Sequence, residues 1–185
     1  MITEAKLKIA LKDMMKTKKL KDINVTALCR KCGIHRQTFY YHYTDIYDLI
    51  AAIFLNENLG FKKKPKDTKS VLRGFVDYVA KNFLFLRSTY NSAARDLTDD
   101  FIFGKLTTFL FELWTKDSKP TEDVDVLRNC ARRFAHFISD EFEFCFKDPT
   151  LTPISFKNSM SRFIDLAVDV LEPAVLSFSK QELNR

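Results

Sequence analysis

Apolar residues recur along this chain at helical spacing almost from end to end. Leu7, Leu11 and Met14 mark one face of a first helix that Thr3 can cap, and Lys8, Lys12, Lys16 and Lys19 cover much of the rest. A second, short helix can start at Thr26, whose hydroxyl suits an N-cap, and end at Gly33, which tolerates a left-handed backbone. A third covers about Arg36–Tyr43. Ile46, Leu49, Ile50, Ile53 and Phe54 then follow the i, i+3, i+4, i+7, i+8 pattern of a fourth helix, capped by Thr44 and running to about Leu59.

Gly60–Lys69 is polar and contains a proline, so it reads as a linker, residues 60–69, between a domain of residues 1–59 and one of residues 70–185. Beyond it Leu72, Phe75, Val79, Phe83 and Leu86 line one long helix, and Phe101–Trp114 forms a shorter one before a loop over Thr115–Asp123. Leu127, Ala131, Phe134, Ile138, Phe142 and Cys145 line the next, whose other side carries Phe137 and Phe144. A helix apolar on two sides packs on two sides, against its own core and a partner. The last long helix has Phe156, Met160, Phe163, Ile164, Ala167 and Leu171 on one face, with Pro173 set to kink or shorten it. No segment alternates with a period of two, so the fold class is all-α: an N-terminal three-helix helix-turn-helix domain and a C-terminal helical domain.

Composition narrows the function. With 4 glycines, none close together, a phosphate-cradling loop or a dinucleotide fingerprint is absent. No nucleophile, base and orienting group fall into a readable set, so no enzyme and no cofactor are expected. No apolar run approaches the ~20 residues that span a bilayer, no secretory leader is visible, and the 4 cysteines read as free thiols in a reducing cytoplasm. Cys29-x-x-Cys32 with His35 and His42 nearby is a fragment of a zinc pattern. The histidines are too far apart for it and the cysteines sit inside a predicted helix, so they read as small core residues and no metal is expected.

Charge is uneven. Residues 1–64 hold 13 Lys/Arg against 6 Asp/Glu, and residues 65–185 hold 17 against 18, so the N-terminal third carries all of the +6 net charge. From charge alone that asymmetry points equally to a polyanion at that end, a nucleic acid or an acidic membrane, and to a plain solvated lysine face. A membrane-surface helix over residues 3–21 is disfavoured, because its apolar face lacks Trp and Phe.

The tight turn Cys32-Gly33-Ile34 between two short helices makes a helix-turn-helix, in which the first helix holds the second in the major groove. Phe39 and Tyr43, four residues apart, turn inward. Arg36, Gln37, Thr38, Tyr40, Tyr41 and His42 lie on or near the outward side. Arg36 suits guanine and Gln37 adenine, each contact supplying ~1–3 kcal/mol of discrimination. Thr38 suits a thymine methyl or a phosphate, while Tyr40 and His42 suit phosphate oxygens.

The run from Val25-Thr26 through Gly33-Ile34 to Thr38-Phe39-Tyr40-Tyr41-His42-Tyr43 resembles the DNA-binding domain of TetR-family transcriptional regulators. The resemblance covers about residues 3–59 and is only architectural beyond them. It implies a homodimer on a palindromic DNA operator, with the last two long helices forming the dimer bundle. It also implies DNA contacts at Thr26, Lys31, His35, Arg36, Gln37, Thr38, Tyr40, Tyr41 and His42, and repression relieved by a ligand. This chain departs from the family pattern at His35, where serine is common, and at Ile46, where a phosphate-gripping lysine is common; Lys31, Lys6 and Lys8 stand near enough in sequence to compensate. The stretch Tyr40–Leu49 also resembles a subgroup of dihydroxyacetone-kinase operon regulators, the DhaS type, in which the C-terminal domain can bind a protein coactivator instead of a small effector.

The 18 phenylalanines, 15 of them after residue 64, are mostly expected in core and interface. Phe75, Tyr78, Phe83, Phe101, Phe103 and Phe109 form the expected wall of an apolar effector pocket. His136 is either part of it or a partly buried histidine bonded to neighbours on its own helix.

Overall fold

The computed structural model describes residues 2–61, 65–116 and 124–182, so the middle of the expected linker and residues 117–123 of the expected loop lie outside the described residues. All regular structure among the described residues is helical. The chain divides into two compact units, one of residues 1–58 with 82–101, the other of residues 59–81 with 102–185.

In the first unit α1 (Ile2–Met14) buries Leu7, Ala10, Leu11 and Met14, as its spacing predicts. A 3-10 turn over Leu20–Asp22 leads to α2 (Val25–Cys32). Its cap is Asn24, whose side chain accepts the Ala27 N–H at 2.8 Å, not Thr26, which lies exposed in the first turn. Both residue types cap well, and the apolar pattern does not choose between positions two apart. A short α3 (Arg36–His42) follows the turn. The cap of α4 (Ile46–Leu55) is Asp45, which accepts the Asp48 N–H at 2.9 Å. Thr44, the expected cap, instead donates its N–H and its hydroxyl to the Asp48 carboxylate, at 2.9 and 3.2 Å. Ile46, Leu49, Ile50, Ile53 and Phe54 are all buried, but the helix stops at Leu55, short of Leu59.

The long helix expected through Leu72 and Leu86 is two helices, α5 (Thr68–Lys81) and α6 (Phe83–Tyr90), broken at Asn82. The apolar repeat runs straight through the break, because periodicity reports which side is buried and not whether the backbone stays helical. Asparagine competes with helix by bonding locally, and the backbone at Asn82 opens to φ −107°, ψ 15°. The helix expected from Phe101 starts earlier and is longer, α7 (Arg95–Lys116). Within the first unit Phe54 meets Phe85 at 5.6 Å and stacks on Phe101 at 4.7 Å between ring centroids. Lys12 donates to Glu57 at 2.8 Å and to Asn82 at 3.4 Å, and its ammonium lies 5.3 Å from the Phe85 ring.

In the second unit α8 (Val124–Lys147) buries the predicted stripe from Leu127 to Cys145. On its other side Phe137 and Phe144 are exposed, 42% and 70%. Next, α9 (Pro153–Leu166) starts with a capping box in which Thr152 and Ser155 satisfy each other's backbone N–H, and Pro153 takes the first helical position. It packs along α5. Ion pairs from Lys69 and Arg73 to Asp165, at 2.6 and 3.5 Å, and from Lys157 to Asp77, at 2.6 Å, run along that contact.

Pro173 does leave its mark. The helix widens into a π turn over Ala167–Leu171, in which the Glu172 N–H reaches back five residues to the Ala167 carbonyl, and continues as α10 (Glu172–Glu182). A buried Thr68 hydroxyl donates to the Glu172 carboxylate at 2.5 Å, and the Trp114 indole N–H points at both, at 3.0 and 3.1 Å.

Candidate nucleic-acid interface

The turn between α2 and α3 is built by Gly33 at φ 66°, ψ 36°, in the left-handed region. The Gly33 N–H returns to the Arg30 carbonyl at 3.3 Å, and that of Ile34 to the Cys29 carbonyl at 3.1 Å, which satisfies the last carbonyls of α2. The chain then redirects within three residues and starts α3 at Arg36, with His35 extended before it. Phe39 is fully buried and Tyr43 nearly so, and their rings meet at 5.8 Å. Burial, then the carboxylates of Glu4 and Asp48, push the Tyr43 phenol above its ordinary value. These two anchors fix which side of α3 faces out.

His35, Arg36, Gln37, Tyr40 and Tyr41 are exposed on that side, and Thr38 is half-buried. Tyr40 is 49% and Tyr41 85% exposed, unusual for large aromatic rings. The Arg36 guanidinium donates to the Tyr40 hydroxyl at 3.3 Å and lies 5.7 Å from its ring, so the two present a joined donor surface. Thr26 is exposed at the start of α2. His42 is turned toward α1, its Nδ1 3.3 Å from the Glu4 carboxylate. Lys31 pairs with Asp13 at 2.6 Å. Ile46 is buried and presents no polar group, while Lys8 donates to the Ala52 carbonyl at 3.0 Å. Tyr47, also exposed, adds an aromatic that the helix-turn-helix pattern did not single out.

Both cysteines of the Cys-x-x-Cys fragment lie in α2. Cys29 is buried and Cys32 half-buried, its Sγ 3.7 Å from the Lys6 carbonyl, and burial raises both thiols above their ordinary value.

The aromatic residues expected to wall one pocket do not gather in one unit. Phe83 and Phe101 belong to the first. In the second, the buried Phe75 meets Phe109 edge to face at 6.2 Å, and Phe61 also meets Phe109 edge to face, at 5.0 Å. Tyr78 is buried on the same helix as Phe75. His136 is exposed and stacks on Phe103 at 4.1 Å, a ring contact in place of the hydrogen bonds to helix neighbours that its sequence context had offered. Apolar periodicity marked these rings as inward-facing but carried no information on which unit would receive them.

The all-α architecture, a helix-turn-helix unit with a second helical unit, has a counterpart among solved structures. The chain superposes on the dihydroxyacetone kinase operon activator DhaS with a TM-score of 0.62 at 17% sequence identity, covering 91% of this chain and 97% of that one. Neither a family model nor a curated protein matches the sequence. No described helix is long and apolar enough to cross a membrane.

Proposed function

We propose that the chain is a sequence-specific, DNA-binding transcriptional regulator of the TetR type and acts as a cytoplasmic homodimer on a palindromic operator. The observation that carries this reading is α3. Its buried Phe39 and Tyr43 hold Arg36, Gln37, Tyr40 and Tyr41 exposed, within the N-terminal third of the sequence, residues 1–64, that bears the chain's excess positive charge. In the major groove Arg36 and Gln37 read base edges, and Thr26, His35, Thr38, Tyr40 and Tyr41 contact phosphates or neighbouring bases. With Ile46 buried, the phosphate grip that a lysine would give there falls to other groups, and Tyr40 is well placed to share it. Lys31 and His42 serve this surface through their partners Asp13 and Glu4, which hold α2 and α3 to α1.

The dimer forms through α8 and α9. Exposed Phe137 and Phe144, with Leu166 at 57% and Val170 at 56%, supply apolar surface that a second copy would cover. Control enters through the second unit. A small apolar effector near Phe75, Tyr78, Phe103, Phe109 and His136 is one route; the resemblance of Tyr40–Leu49 to the DhaS-type subgroup keeps a protein coactivator as the other.

The test is a random-library selection of duplexes with the purified protein and with Arg36→Ala. A palindromic site that the variant no longer prefers supports the reading. Sequence-blind binding by the wild type refutes it.

A further inference from the structure

The charged surface of the first unit holds more than the helix-turn-helix uses. A cleft of about 450 Å³ opens between the end of α1, with the residues just after it, and the outer side of α2. Lys16, Lys18, Arg30 and Lys31 line it, with Asp13 as the one carboxylate and Ala27 among them leaving room. Asp13 takes Lys31 at 2.6 Å and Lys16 at 3.2 Å. Those two cations hold its carboxyl below the usual range, and the carboxylate draws Lys16 and Lys31 to the same side of the cleft. Lys18 and Arg30 have no ion-pair partner among the described residues and are exposed. The cleft therefore keeps a surplus of positive charge on a concave wall, which a flat lysine face lacks.

Its position decides what it meets. Arg30 stands four residues after Thr26 on α2, so the two share one side of that helix. Resting on the regulator reading above, in which Thr26 lies against the duplex backbone, we infer that this cleft takes phosphates of the same strand beyond those gripped by the helix-turn-helix. Lys18 and Arg30 are its contacting residues, and Asp13 positions Lys16 and Lys31 beside them. The footprint on DNA then extends past the bases that α3 reads, and the cleft compensates for the uncharged Ile46.

The experiment measures affinity against salt for a selected duplex. Each neutralised phosphate contributes about 0.9 to the slope of log K against log salt. Lys18→Gln with Arg30→Gln removes two exposed charges, and Lys19→Gln with Lys21→Gln removes two from exposed positions outside the cleft. The expected result is a slope smaller by about 0.9 for each phosphate that the first variant leaves unneutralised. The second variant should change the slope far less, and the Arg36-dependent base preference should survive in both. Equal slopes for the two variants, with that preference intact, overturn the cleft assignment alone. Absence of any Arg36-dependent preference in the wild type overturns the regulator reading, and the cleft assignment with it.

Discussion

Lys12 ties three parts of the first unit together, and its removal has a calculable cost. Its side chain is 24% exposed and that of its partner Glu57 19%, at 2.8 Å. Fully exposed pairs contribute about 0.2–1 kcal/mol. Breaking a fully buried pair costs about 3–5 kcal/mol, because the surviving charge is stranded. A pair at this depth falls between, so Lys12→Met should destabilise the protein by about 1.5–2.5 kcal/mol, with the stem still packing on Phe85. For a chain of this size that corresponds to a fall in Tm of about 3–10 °C, at about 2–4 °C per kcal/mol. Glu57→Gln should cost less, since the amide still accepts a hydrogen bond. Urea unfolding of both single variants and the double variant gives the coupling directly, and about 1–2 kcal/mol is expected. The control cycle is Lys16 with Asp13, at 62% and 45% exposure, where solvent screening should leave far weaker coupling. Equal coupling in the two cycles would refute the idea that partial burial strengthens the Lys12 pair.

Three other outcomes are expected. Phe39→Ala empties a fully buried ring site that sets the face of α3; a cost of about 3–5 kcal/mol, read by denaturant unfolding, should accompany loss of duplex binding. Gly74→Ala should destabilise although alanine favours helix by about 1 kcal/mol, because a Cβ there would sit 1.9 Å from the Phe61 ring; in a Phe61→Ala background the same change should turn stabilising. Cys145 is buried and its thiol is pushed up to about 11, first by burial and then by Glu141 and Asp148. The folded protein should therefore resist thiol reagents at this position at pH 8. Because the raised value belongs to the folded state, this group's contribution to stability is present below pH 9 and falls away as pH climbs from about 9 toward 11, which unfolding curves across that range will show.

Much of the fold was readable where one side of a helix is buried. The stripes Leu7–Met14, Ile46–Phe54 and Leu127–Cys145 all lie inward, because burial alone sets their spacing. Helix ends were read less well. Asn24 and Asp45 cap where Thr26 and Thr44 were expected, since several adjacent residues can accept the same backbone N–H and only the three-dimensional path selects one. The outward side of α3 followed from Phe39 and Tyr43, so the exposure of Arg36, Gln37, Tyr40 and Tyr41 was legible in the sequence. The partners of Lys31, Lys8 and His42 were not, because Asp13, Ala52 and Glu4 approach through tertiary packing. The cleft was hidden for the same reason. Lys16 and Lys18 read as part of a solvated run until Arg30 and Lys31 are brought opposite them.

The π turn at Ala167–Leu171 carries one more residue per turn than the helix on either side. One residue is about 100° of helical phase, so everything after it is rotated relative to the stripe set by Phe156, Met160 and Ile164. That rotation brings Glu172 round to the Thr68 hydroxyl and the Trp114 indole. The spelling of this segment is thus less constrained than its length. Apart from the buried Ala167, and Val170 where a second copy would cover it, its side chains could be exchanged at modest cost to the fold of one protomer. Deleting a single residue would instead restore the regular winding, swing Glu172 off its two donors and force Pro173 into a backbone that has no room for it.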